Sequence, residues 1–213
     1  FRRSLFLLPI VFLVGCMSPA PTATPIPLPA PVAGSPGMGD PYYPNWGNGG
    51  YDVENYTIML DVAPIANTVK GSTTIKATAT ERLSSFNLDF HGLTVESVNV
   101  NDKSAEYSRN EDELKINPDE VLEPNKPFTV VVNYHGVPEL ITSFGIKTGW
   151  SHVESGAINV WGEPDAASTW FPNNNHPRDK ATYRFEITVP KPWMVAATGT
   201  LEETTEKYFD KNV

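Results

Sequence analysis

The chain reads as an all-β protein, and three observations say so. Apolar and polar residues alternate over short stretches. Gly, Asn, Asp and Pro punctuate the chain at intervals of about eight to twelve residues, the spacing of strands and turns. No stretch carries the i, i+3, i+4 apolar stripe of an amphipathic helix, and Asp119 to Leu122 has room for a single helical turn at most. Many short strands joined by frequent turns point to antiparallel sheets packed as a sandwich or saddle.

The strands follow in order. Val53, Tyr56, Ile58, Leu60 and Val62 give a largely period-two apolar face, and Val69, Ile75, Ala77 and Ala79 give a second, set off by a turn at Gly71-Ser72. Phe86 to Phe90 and Val95 to Val100 continue the series, separated by His91-Gly92 and closed by Asn101-Asp102, both turn chemistry. Leu114 to Ile116 forms a short strand. Phe128 to Tyr134 is a near-continuous apolar run suited to the middle of a sheet. Tyr183 to Val189 alternates cleanly and ends at Pro190, where a ladder donor is lost. Val195 to Thr205 reads as the first arm of a hairpin, with its turn at Asp210 to Asn212 and its return beyond Val213. The sequence therefore reads as a piece of a longer chain.

The N-terminal region has a different character. Arg2-Arg3 precedes the apolar stretch Leu5 to Val14, the length of a signal-peptide core and too short for a membrane-spanning helix, which needs about 20 residues. Leu13-Val14-Gly15-Cys16 looks like a bacterial lipobox, so residues 1–16 read as a lipoprotein-type signal with Cys16 as the lipidated residue. The chemistry needs a thiol there to form a thioether, and Cys16 is the only cysteine of the chain. An anchored, extracytoplasmic protein follows from that reading, held to the membrane through its lipid. Residues 17–39 are rich in Pro and small residues and read as an extended, disordered linker. At about 3.1 Å per residue it would reach roughly 70 Å. The folded domain is expected over residues 40–213.

Composition narrows the function. A formal charge of −9 argues against nucleic acid as a partner. With one cysteine there is no internal disulfide, so an apolar core must hold the fold. No internal repeat is present. Asn55-Tyr56-Thr57 fits a glycosylation sequon but lies on an expected strand and reads as accidental.

The most informative stretch runs from Trp161 to Tyr183. Here a lone carboxylate, Glu163, precedes a Pro-rich turn and then a strand. The stretch closely resembles the pattern T-Q-x-E-P-x-x-A-R-x-x-F-P-C-x-D-E-P-x-x-K-A-T-F of the aminopeptidase N-like zinc peptidases, the gluzincin aminopeptidases. Glu163, Pro164, Ala167, Phe171, Pro172, Pro177, Lys180, Ala181 and Thr182 fall in step with no gap. Trp161 replaces the usual Gln, Ser168 the Arg, Asn173 the Cys, and Asn175 and His176 the acidic pair. Upstream, Pro41-Tyr42-Tyr43-Pro44 followed by Gly47-Asn48-Gly49-Gly50-Tyr51-Asp52-Val53 resembles the segment that leads into the first strand in bacterial members of the same family.

The resemblance covers roughly residues 40 to 205 and implies the saddle-shaped N-terminal β domain of such an enzyme. It also implies that Glu163 hydrogen-bonds the free α-amino group of a peptide substrate. Taken alone, Glu163 is simply a loop acid on an acidic protein. Trp161 lines the first side-chain pocket or belongs to the core, whereas Trp170, beside Phe171, reads as core. The family's zinc helix, H-E-x-x-H, and its G-x-M-E-N strand are absent from these residues: His91, His135, His152 and His176 are scattered, with no pair at i, i+4 spacing. The chain is thus expected to carry no catalytic residue and no metal of its own, zinc residing in a catalytic domain joined in cis. The alternative is a non-enzymatic, lipid-anchored β-sandwich that binds a glycan or a protein partner.

Overall fold

A computed structural model describes residues 28–206. In chain order the strands are β1 (Val32–Ala33), β2 (Tyr51–Ala63), β3 (Thr68–Ala79), β4 (Leu83–Asp89), β5 (Thr94–Val100), β6 (Lys103–Ser104), β7 (Glu106–Asn110), β8 (Glu113–Asn117), β9 (Pro127–Gly136), β10 (Leu140–Ser143), β11 (Ile146–His152), β12 (Ile158–Trp161) and β13 (Thr182–Thr188). The helical content among the described residues is one 3-10 turn, Ala166–Thr169. The protein is all-β, as the alternation requires.

Three sheets make up the fold, in the orders β13-β2-β3-β9-β5-β6, β1-β4-β8-β7 and β10-β11-β12. Pairing is antiparallel except where β1 meets β4 and β13 meets β2, both parallel. Tyr56, Ile58, Leu60, Val130, Val132 and Tyr134 of the large sheet pack with Phe86, Leu88, Leu114 and Ile116 of the four-stranded one in a single core. That core satisfies the demand set by a disulfide-free chain. β9 lies between β3 and β5, the interior position its apolar run suits. The step of three between Val53 and Tyr56 breaks the period of two, and a bulge between Val53 and Asn55 absorbs the extra residue.

Several expectations need correction. Gly71-Ser72 is no turn: both residues lie inside β3, and the reversal from β2 comes at residues 64–67. Gly71 is small because the Tyr134 ring packs directly over it; a Cβ there would lie 2.3 Å from that ring. Asp119 to Leu122 forms no helical turn. Val195 to Thr205 is irregular and exposed rather than a strand, since its polar, charged residues meet no partner strand; Asp210 to Asn212 lies outside the described residues. β1 falls within the stretch 17–39 expected as linker, so the end of that stretch is built into the fold through its pairing with β4. Cys16 and the expected signal lie outside the described residues. Asn55 of the sequon donates from its amide to Thr182 Oγ1 at 2.9 Å, between β2 and β13.

Candidate functional site

Glu163 sits where the three-stranded sheet hands the chain over to the 3-10 turn. The β11–β12 ladder runs from His152 opposite Ile158 to Gly149 opposite Trp161 and there ends. Gly162 leaves the ladder, the Glu163-Pro164 peptide bond is cis, and the Ala166 N–H donates to the Gly162 carbonyl at 2.9 Å. Glu163 is exposed, and its carboxylate has no hydrogen-bond or ion-pair partner among the described residues. Trp161, at the end of β12, is 40% exposed, which removes it from the core. Trp170 packs edge-on against Phe171 and lies parallel to Phe185, its ring at the border of the core as expected.

The turn beneath Glu163 is held by buried polar side chains. Thr148 Oγ1 donates to the carbonyl of Trp161 at 2.9 Å and lies 3.2 Å from that of Glu163. Ser143 Oγ donates to Asp165 Oδ2 at 2.9 Å, and the Asn175 amide donates to the Asp165 carbonyl. Pro164 and Ala167 form one wall of a shallow cavity of about 170 Å³ whose other lining includes Asn174, Asn175, His176 and Tyr183.

Residues 173–179 in turn are fastened to the segment before β2. Asn48 is fully buried; its N–H donates to Asn174 Oδ1 at 2.6 Å and its amide to Asp89 Oδ2 at 3.1 Å. Asn174 N–H donates to the Tyr56 hydroxyl at 2.9 Å, and Asn175 N–H to Asp89 Oδ2 at 2.8 Å. Asp179 accepts from the Val53 N–H at 3.1 Å. Burial pushes the Asp89 carboxyl up to about 6, against hydrogen bonds from Asn175 and Asn48 that pull it down. Glu113, directly opposite Asp89 across the β4–β8 ladder, is pushed up to about 7 by burial and then by the Asp89 charge. The two sequence stretches singled out for their motifs are therefore one physical unit.

Sequence reading missed this network. His176, one of the four scattered histidines, is buried, with its Nε2 3.4 Å from Asp40 Oδ2 and its Nδ1 accepting the Arg178 N–H at 3.1 Å. The signal for it was Gly47: its φ of +62° suits glycine, and a Cβ there would sit 2.6 Å from His176 Cβ and 2.8 Å from Asn174 Oδ1. Three asparagines and a histidine in a row, met by a glycine-rich segment far upstream, mark close backbone contact. Among the described residues no group of three or more His, Cys, Asp or Glu side chains is placed to hold a metal ion, and no helix is long and apolar enough to cross a membrane. These residues do not fit a zinc site.

Solved structures with the same architecture exist. An M1 zinc metallopeptidase from Deinococcus radiodurans matches with a TM-score of 0.74 and 29% identity over 80% of this chain. So do a mutant of it bound to a Tyr-Ser-Ala substrate, at 29% identity, and the mutant alone, at 30%. This chain spans 40% of the length of those chains. Among curated proteins none matches. The family model for the Peptidase M1 N-terminal domain matches residues 52–213. With three sheets in place, the Glu163 turn clamped to them and this match over most of its length, the chain belongs to the Peptidase M1 N-terminal domain family.

Proposed function

We propose that this chain is the substrate-binding and structural N-terminal domain of a zinc-dependent aminopeptidase that removes residues one at a time from the free N-terminus of peptides. The observation that carries the reading is the Glu163 carboxylate, exposed and without a partner among the described residues, on a turn whose main-chain carbonyls accept from the buried Thr148 hydroxyl. A carboxylate with no internal partner is free to receive a cation. An ammonium against it in a water-poor cleft makes charge-assisted hydrogen bonds about twice as strong as neutral ones. An internal peptide bond presents no such cation, so the contact selects chain ends. A Tyr-Ser-Ala substrate bound to the Deinococcus relative is consistent with peptides as the ligand class.

Trp161, two residues before Glu163 and 40% exposed, is proposed to line the pocket for the first side chain of the substrate, so Trp161→Ala would shift preference among N-terminal residues. Zinc would be held by a catalytic domain joined in cis, where it would supply Lewis-acid chemistry. The part of this chain is to hold the substrate's amino end. Cys16 is proposed as the lipid attachment site that keeps the protein on the outer side of a bacterial membrane; loss of labelled fatty acid in Cys16→Ser would support this, and equal labelling would refute it.

The test uses the full-length protein. Glu163→Ala is expected to lower kcat/KM for free-amine peptides about ten- to a hundredfold, or roughly 1.5–3 kcal/mol, with zinc content unchanged. Glu163→Gln keeps an acceptor oxygen and retains more activity. N-acetylated peptides, lacking the ammonium, are poor substrates for both forms. An unchanged kcat/KM in a folded, zinc-loaded Glu163→Ala variant rules the assignment out.

A further inference from the structure

The Glu163 carboxylate has no hydrogen-bond or ion-pair partner among the described residues to fix it, so its position is inherited from the main chain on either side. Downstream, Asp165 is tied to Ser143 and Asn175. Upstream, the usual means of fixing a strand end has run out. The β11–β12 register would next bring Thr148 level with Gly162, but the chain has turned away, with the Gly162 carbonyl taken by the Ala166 N–H. Pro164 has no N–H to contribute. The carbonyls of Trp161 and Glu163 thus flank a gap in the ladder.

Thr148 fills that gap with its side chain. Its main chain stays paired with Ile141 of β10, while its hydroxyl turns to the other side, 2.9 Å from the Trp161 carbonyl and 3.2 Å from that of Glu163. The residue is 1% exposed, so water does not compete for the hydroxyl. One hydroxyl therefore spans the carbonyls of Trp161 and Glu163, between which lie the Cα atoms of Gly162 and Glu163, and it stands on a strand hydrogen-bonded on both sides.

The geometry points to Thr148 as a positioning residue for Glu163: it sets where the carboxylate meets the substrate ammonium without touching substrate itself. This rests on Glu163 being the ammonium acceptor. Precise placement is where such contacts gain or lose most, because a displacement of about 1 Å is enough to weaken them severely. Side chains that leave the carbonyls without a donor free the turn to sample positions in which the contact is not made.

The test compares Thr148→Val, which keeps the shape and removes the hydroxyl, with Thr148→Ser, which keeps the hydroxyl, in the full-length protein. Thr148→Val is expected to raise KM for free-amine peptides about tenfold with a smaller change in kcat. It is also expected to shrink the preference for free-amine over N-acetylated peptides. Thr148→Ser stays within about twofold of the natural protein. Combined with Glu163→Ala, Thr148→Val adds little further loss, because both changes remove one contact. If Thr148→Val is not recovered folded, Thr148→Ala carries the same expectation. Should the hydroxyl serve only stability, the thermal midpoint falls while the constants of the folded enzyme and its free-amine preference hold, which overturns the inference. A loss with Glu163→Ala but none with Thr148→Val defeats the Thr148 role alone. No loss with Glu163→Ala defeats the reading of Glu163 itself.

Discussion

Gly71 and Gly47 each mark a place where two parts of the chain come closer than any side chain allows. At Gly71 the intruder is the fully buried Tyr134 ring, whose hydroxyl lies 3.1 Å from Thr73 Oγ1 within the same sheet. Gly71→Ala would drive a methyl group into that ring, and we expect it to cost about 1–3 kcal/mol or more, read as a lower midpoint in urea with an unchanged slope. A midpoint equal to that of the natural chain would refute the close contact. At Gly47 the neighbours are His176 and Asn174, so the glycine couples the leading segment to residues 173–179. Residues of this kind are half legible in sequence. Glu163 and its turn stand out by motif, whereas a glycine in β3 looks like a turn until its neighbour across the sheet, sixty-odd positions away, is known. His176 and Asn174 are harder still, because nothing local distinguishes a buried polar residue from an exposed one.

At the level of elements, alternation located β2, β3, β4, β5, β8 and β13, because each of these turns one face to the core, and β9 was located by its near-continuous apolar run. β10, β11 and β12 escaped notice. Their sequences, LITS, IKTGWSH and INVW, mix exposed apolar residues with buried polar ones, as in Ile146 against Thr148, so hydropathy does not track burial. Val195 to Thr205 shows the converse, some alternation without a partner strand. The β4–β8 ladder carries a consequence for pH. It places Asp89 opposite Glu113, both raised by burial from ordinary values of 3.8 and 4.5 to about 6 and about 7. A carboxyl whose folded value is raised holds its proton more tightly folded than unfolded, so its contribution is full below the ordinary value and is lost as pH rises through the folded one. We therefore expect the thermal midpoint of the domain to fall between about pH 4 and pH 7, and Glu113→Gln to flatten that fall. A midpoint that rises across the same window, or a Glu113→Gln profile parallel to the original, would contradict the buried pair.

On the scale of the whole molecule, the two motif stretches, more than a hundred residues apart in sequence, come together as one network behind the Glu163 turn: Asn48 bonds Asn174 directly, and Asp89 of β4 accepts from both Asn48 and Asn175. Family and fold class were legible because those stretches keep their spacing; the contact between them was not, since it depends on sheet order. The division of labour that follows is physical. Hydrolysis of a peptide bond needs an activated water and a stabilised oxyanion as well as a grip on the substrate. The described residues supply a candidate for the grip alone, with no cluster of His, Cys, Asp or Glu that would hold zinc and no H-E-x-x-H anywhere in the sequence. The isolated 213-residue chain is accordingly expected to show no hydrolysis of aminoacyl anilides, with or without added zinc. Turnover by the purified chain that a chelator abolishes would show that the catalytic machinery lies within these residues after all, and would undo the assignment of Glu163 to substrate binding alone.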